Sequence, residues 1–298
     1  HGPIATAEQG MSAFISSIPY NFYGWLAVLM CGLIAFQFIP NFGPMKKAEE
    51  RALKEGKVIR DGATPLSGPE MEEIRMAEGK KPNLMVYLFI PVLLVIGIAL
   101  GIFFMLHSTK TLEAFFTAVM YQAVVLTIGG YFTGIKDAMD TVYKGIKAVL
   151  PAIMILALAY CINDISKALG AQKYIFTMAQ SWMTPAMLPL ATFFAGALIS
   201  FFTGTSWGTY AILTPFVLPL AFQLSGDAIT PLVLATIGAV VGGGCFGDHC
   251  SPVSDTTCLS SFGAGSDHMD HVSTQIPYAF TAGIIAAVVY GVLGVMSV

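Results

Sequence analysis

Two apolar runs near the C-terminus, residues 228–241 and 275–298, flank a polar stretch, 242–257, that reads GGGCFGDHCSPVSDTT. A chain that is 55% apolar and 11% charged, with mean hydropathy +0.72, carries too few charges for a soluble domain. It is read as a polytopic membrane protein. In a bilayer the backbone must satisfy its own hydrogen bonds, and apolar runs of this kind do so as helices. Three consecutive glycines and Pro252 argue against an unbroken helix through 242–257. Non-helical backbone at membrane depth persists only where protein buries it or where it lines a cavity. Inside the expected break stand Asp248 and Asp255, with Ser251, Ser254, Thr256 and Thr257 around them. Carboxylate, hydroxyl and freed carbonyl form the ligand set of a hard cation such as Na⁺.

The placement of charge strengthens that reading. All fifteen Lys and Arg lie at or before Lys173, whereas Asp227, Asp248, Asp255, Asp267 and Asp270 follow it. Anionic groups in a membrane segment without Lys or Arg need another compensator, either a bound cation or a proton. Asp227, Asp267 and Asp270 are expected in wet loops. The five cysteines are scattered through apolar sequence and do not form a disulfide framework.

Taken in order, residues 1–17 read as irregular, and 1–44 end with a first span at 19–39. Residues 45–82 form a charged loop, with nine Lys/Arg and eight Asp/Glu over 45–81. Its basic content predicts a cytoplasmic position, with a surface helix at 45–57 and a second short helix at 69–78. Residues 83–298 form the transmembrane domain. Its spans are expected at 83–106 and 112–131, followed by an amphipathic piece at 136–147 and an apolar segment at 149–162. Later come a short piece at 174–182 and apolar runs at 185–202 and 210–224. Seven or eight crossings or half-crossings result.

A second break falls at 203–209, where six of seven residues are Gly, Ser or Thr. Two broken helices rich in small polar residues are the mark of a secondary transporter, in which discontinuous helices meet near the midplane. Small residues also simply pack membrane helices together, and the two carboxylates tip the balance toward transport. The fold is therefore all-α with discontinuous helices. Asp248 and Asp255 are the expected cation and proton carriers, and Na⁺ would favour an ionised carboxylate and displace its proton. Ser251, Ser254, Thr256 and Thr257 are supporting ligands, faced by Thr203, Thr205, Ser206 and Thr209 from the other break. Asn163 and Asp164 also end an apolar segment, although Lys167, three residues on, makes a surface ion pair of Asp164 an equal reading. Cys245, His249, Cys250, Cys258, His268 and His271 raise a zinc reading, but HExxH and paired CxxC spacings are absent. A phosphate loop is excluded by the missing Gly-Lys-Ser/Thr. A cation channel would want symmetric repeated units, which two unlike broken helices do not supply.

The runs FFTGTSWGTYAILTP, at 201–215, and GDHCSPVSDTTCLSS, at 247–261, followed by HVSTQIPYA, at 271–279, resemble the C-terminal half of NhaC-type sodium/proton antiporters. The matching runs lie within 189–279. The resemblance implies exchange of Na⁺ for H⁺ across the cytoplasmic membrane by a protein that is not an enzyme. The alternative within the same superfamily is Na⁺- or H⁺-linked exchange of small carboxylates or amino acids. No cofactor is implied beyond the transported Na⁺ and H⁺. The implied partners are those ions and the bilayer, with no nucleic acid. A homodimer and a missing N-terminal half of the same protein are the assembly expectations, since such proteins usually carry a related first half of opposite topology.

Overall fold

The computed structural model describes residues 7–65, 83–106, 110–170, 174, 177–178 and 184–296. Helices and the turns between them account for this part of the chain, with no strand among the described residues. Among the described residues five helices are long and apolar enough to cross a membrane, and a bent pair near the N-terminus makes a sixth if it is one span. The expected pieces at 69–78 and, for the most part, 174–182 lie outside the described residues.

The chain divides into two compact units, Gly68–Ala148 and a larger one made of His1–Ser67 with Val149–Val298. In the smaller unit a π-helical turn, Met85–Phe89, runs into α4, Ile90–Leu106, and α5 follows at Thr111–Ile128. Wide turns leave carbonyls in need of partners. Gln122 donates to Tyr87 O at 2.6 Å, which ties α5 to that turn. The pieces expected at 136–147 and 149–162 are one helix, α6, Ile135–Ala168, with Pro151 inside it.

The larger unit opens with α1, Ala7–Ser17, where the mixed composition had predicted irregular chain. Ala13 and Ser17 are buried, so tertiary packing decides this segment rather than its own periodicity. A 3-10 turn at Ile18–Tyr20 leads to α2, Phe22–Ala35, at a bend of 49°. Asn21 caps α2 by accepting from Gly24 N. The expected surface helix is α3, Gly43–Glu55, closed by Gly56 in the left-handed region at φ 69°. The remaining helices are α7, Leu188–Thr203; α8, Ser206–Leu224; α9, Pro231–Cys250; α10, Asp255–Gly263; and α11, His268–Met296.

α9 is the hub. Most of its residues are buried, and α7, α8, α11 and α2 all pack on it. Its glycines explain the close approach. A Cβ on Gly243 would overlap Phe193 O, and one on Gly247 would overlap Ala197 O, both in α7. A Cβ on Gly244 would strike the Tyr210 ring of α8. The triple glycine therefore does not break the helix, contrary to the sequence expectation. α9 runs straight through it, and the break falls later, at 251–254, around Pro252. Small residues serve here as packing surface, since in lipid helices associate largely by close van der Waals fit.

The charged segment after α3 folds back on the start of α11. Arg60 Nε meets both Asp270 carboxylate oxygens at 3.1 and 3.2 Å, and Thr64 N donates to Asp267 at 2.9 Å. Asp227 is exposed in the turn after α8. Asp227 and Asp267 thus lie in connections between helices, as expected, whereas Asp270 stands in the first turn of α11, and Arg60 supplies it with a basic partner that is absent from the last 125 residues themselves.

Two outcomes follow from this packing. Replacing Gly247 by Ala should destabilise the folded protein by about 1–3 kcal/mol through overpacking against α7, read as a lower melting temperature in detergent, whereas Gly97→Ala, with open space around it, should not. The second concerns pH. Partial burial pushes the Asp267 carboxyl up, but N–H groups of Asp270, Thr64 and Met269 and the Arg60 charge outweigh it and hold it below the usual carboxylate range. A carboxyl held low stabilises the fold above its ordinary pKa and loses that contribution as pH falls through the folded value. Proteolysis within 56–65 should accelerate below about pH 4, and Asp267→Asn should show the faster rate already at neutral pH.

Candidate ion site

The last turn of α9 presents Asp248, buried at 3% exposure. Its carboxylate is met from the turn that follows. Ser254 Oγ donates to Oδ1 at 2.8 Å and Thr256 Oγ1 donates to Oδ2 at 2.7 Å. The two hydroxyls are themselves 2.9 Å apart. Thr257 Oγ1 donates to the Asp248 carbonyl at 3.2 Å, satisfying one of the groups that a helix end leaves free. Among the described residues no Lys or Arg pairs with Asp248.

The local sequence folds this way for identifiable reasons. Pro252 stops α9, and Ser254 starts α10 by accepting from Thr257 N at 3.3 Å. Ser254 thus caps a helix and holds a carboxylate with the same oxygen. Ser251 Oγ donates to Phe201 O at 2.7 Å and accepts from Val253 N, which pins the break to the end of α7. His268 Nε2 donates to Pro252 O at 2.6 Å, and its Nδ1 lies 3.0 Å from Ser261 Oγ, which fastens the same turn to α10 and α11.

The second break is short. α7 ends at Gly204, in the left-handed region at φ 67°, and α8 begins after Thr205, which caps it by accepting from Gly208 N. A Cβ on Gly204 would overlap Val253 O. The two breaks therefore touch, as the need of each for polar partners predicts.

The expected site residues divide accordingly. Asp248, Ser254, Thr256 and Thr257 converge, and Ser251 braces them. Asp255 is half-exposed at the start of α10, where its Oδ1 accepts from Thr256 N at 2.8 Å and its charge favours the helix N-terminus. The hydroxyls of Thr203 and Thr209 are buried and donate to Ile199 O and Thr205 O of their own helices. Thr205 is a cap, and Ser206 opens α8. Asp164 lies exposed on α6, and the Asn163 side chain falls outside what the structure describes. Among the described residues no three His, Cys, Asp or Glu side chains converge as a metal cluster would require.

Three features near the site were not foreseen. Tyr23 OH lies 3.0 Å from His249 Nδ1, and Gln275 donates to His249 O at 3.1 Å. Tyr210 donates to Val241 O at 3.2 Å and touches Cys245 Sγ at 3.2 Å. Buried polar groups close to an ionisable residue are the only sequence signal they carry, and the partners are 26 to 226 residues apart.

A sequence profile described as the Na⁺/H⁺ antiporter family matches residues 3–295. An uncharacterized protein of Haemophilus influenzae is 31% identical over 97% of this chain and 56% of its own length. The Na⁺/H⁺ antiporter NhaC of Bacillus subtilis is 30% identical, covering 66% of this chain and 42% of its own. The malate-2H⁺/Na⁺-lactate antiporter of the same organism is 29% identical, covering 70% and 44%. The chain spans about half the length of the curated relatives it matches. No solved structure matches it.

The double duty of Ser254 ranks two substitutions. Ser254→Ala removes a cap, at about 0.5–2 kcal/mol, and also strips a buried carboxylate of a donor. Thr256→Val removes one donor only. Thermal unfolding in detergent should therefore show the larger loss for Ser254→Ala.

Proposed function

The chain belongs to the Na⁺/H⁺ antiporter family, and on that premise we propose that it forms part of a secondary carrier exchanging Na⁺ for H⁺ at Asp248. The observation that carries the reading is a buried carboxylate with no basic partner among the described residues, closed into a ring by two hydroxyls. The ring has three oxygen–oxygen contacts. Each needs a hydrogen, and the hydroxyls of Ser254 and Thr256 bring one each. A proton on the carboxyl supplies the third, and the hydroxyl it meets then accepts from the carboxyl and donates to the other hydroxyl. A cation can take that proton's place if the same oxygens turn their lone pairs toward it. Either occupant neutralises the carboxylate, and the two compete for one set of oxygens, which makes one site sufficient for exchange.

Asp255 is given the part of a second negative charge near that site rather than of a first ligand. The carrier is placed in the cytoplasmic membrane with 45–82 on the cytoplasmic side, supported by the basic content of that segment. The greater length of the relatives supports a further portion of the same protein working beside this one. A second reading, exchange of a small carboxylate together with Na⁺ and H⁺, is favoured by the likeness to the malate-2H⁺/Na⁺-lactate antiporter.

The test is Na⁺-driven pH change in vesicles holding the full-length protein, with and without malate or lactate. Asp248→Asn should reduce it to background while the protein still inserts. Asp255→Asn should keep exchange and raise the half-saturating Na⁺ about five-fold, the weight of roughly 1 kcal/mol for one nearby charge. Asp267→Asn should leave transport as it is. Full exchange by Asp248→Asn with unchanged Na⁺ dependence would refute the assignment. Movement that appears only with a carboxylate present would favour the second reading.

A further inference from the structure

A cavity of about 600 Å³ lies within the larger unit, bounded by α2, α3, the end of α9 and α11. Tyr23, Ala27, Met30 and Ile34 line it at helical spacing, so it follows one face of α2 from Tyr23 to Ala35. Twelve residues at the helical rise make that about 18 Å. Glu49 of α3 belongs to the lining, as does His249, one residue from Asp248, and His249 meets Tyr23, another lining residue, in a hydrogen bond.

The lining has a definite electrical character. Among the described residues Glu49 is its sole Asp, Glu, Lys or Arg, and amide and hydroxyl oxygens from Asn41, Gln275 and Tyr278 share the wall. Two basic residues of α3 face another space. Lys47 and Arg51 line a neighbouring cavity with Asp267 and Asp270. α3 thus presents Glu49 to this cavity and Lys47 and Arg51 to the neighbouring one. His271 lines both cavities, and its Nε2 is shielded without a hydrogen-bond partner. A buried polar atom in that condition calls for a water molecule. A hydrated cavity with one negative charge attracts cations and excludes anions.

We propose that this cavity is the aqueous route by which the transported cation approaches Asp248, with Glu49 in its wall concentrating the ion. The proposal rests on the exchange reading above, and it adds the path and the residue that sets its selectivity. In the conformation described, the route ends at the Tyr23–His249 bond, and parting that bond completes it.

Cys31 lines the cavity partway along and serves as a reporter. In full-length protein with every other cysteine replaced, its reaction rate is measured with two methanethiosulfonates of similar size, one bearing trimethylammonium and one sulfonate. Both react only with thiols that water reaches. Relative to a free thiol, the cationic reagent should be favoured by about three- to ten-fold at low salt, and Glu49→Gln should remove most of that preference. In vesicles the same substitution should raise the half-saturating Na⁺ and leave the maximal rate unchanged. A Cys31 inert to both reagents, or equally reactive with both, overturns the route even if exchange is intact. Cationic preference at Cys31 without Na⁺-driven pH change would instead keep the cation-admitting cavity and remove the exchange reading on which its role as a route depends.

Discussion

The fold around the two breaks is arranged about one unfavourable act, the withdrawal of the Asp248 carboxylate from water without a basic partner among the described residues. An isolated buried carboxylate costs many kcal/mol, and a protein keeps one only by surrounding it with donors or by neutralising it. Donors at the end of a helix must come from the chain that follows. That is why α9 stops where it does. Pro252 turns the chain so that Ser254, Thr256 and Thr257 come back over the last turn of α9. The turn in turn needs holding, and the end of α7, through Phe201 O and Gly204, and His268 of α11 supply it.

Close approach of backbones makes this possible. α7 can reach the break only because α9 has no side chains at Gly243 and Gly247, where carbonyls of α7 lie against its backbone. The same logic acts on the far side of α9. A Cβ on Gly238 would overlap Tyr20 O, and Tyr290 OH donates to that same carbonyl at 2.9 Å. Glycine in a helix interior costs roughly 0.5–1 kcal/mol relative to Ala in soluble proteins. Here van der Waals contact along the helix offsets that cost, and the surrounding helices hold the glycine segment straight.

Chemistry was more legible in the sequence than geometry. The breaks at Thr205 and Pro252, the carboxylate with its hydroxyls, and the charged helix at 43–55 could be read because Pro, Gly and helix-capping residues act on their own neighbours. The continuity of α9 through three glycines could not, because it depends on α7, some 50 residues away in sequence. Nor could the sorting of the aspartates. Asp248 and Asp270 look alike in sequence, and they differ because Arg60, 210 residues from Asp270, reaches one and not the other. α1 was missed for a related reason. Its polar and apolar residues are mixed, and burial of Ala13 and Ser17 decides its structure.

The two sides of the last turn of α9 are unlike, and that difference bears on how one site can serve two compartments. On one side, Asp248 and Ser254 are buried while Thr256, the third member of the ring, is exposed. On the other, His249 faces the cavity along α2 and is held by Tyr23. A carrier must never leave its site open to both compartments, or ions would run down their gradients without exchange. Asp248 thus stands between the ring whose Thr256 is exposed and His249, which Tyr23 holds. Under the proposed exchange, a movement that parts Tyr23 from His249 would have to bury Thr256 as well, since otherwise the two sides would join. α10 is the element placed to couple them. Its cap, Ser254, holds the carboxylate, and its first turn carries Thr256. Its nine residues include the buried Thr257, Cys258 and Ser261, and His268 of α11 holds it through Ser261 near its far end. Because Ser254 belongs both to the ring and to the α10 cap, the occupant proposed for the ring would act on α10 without any longer-range path.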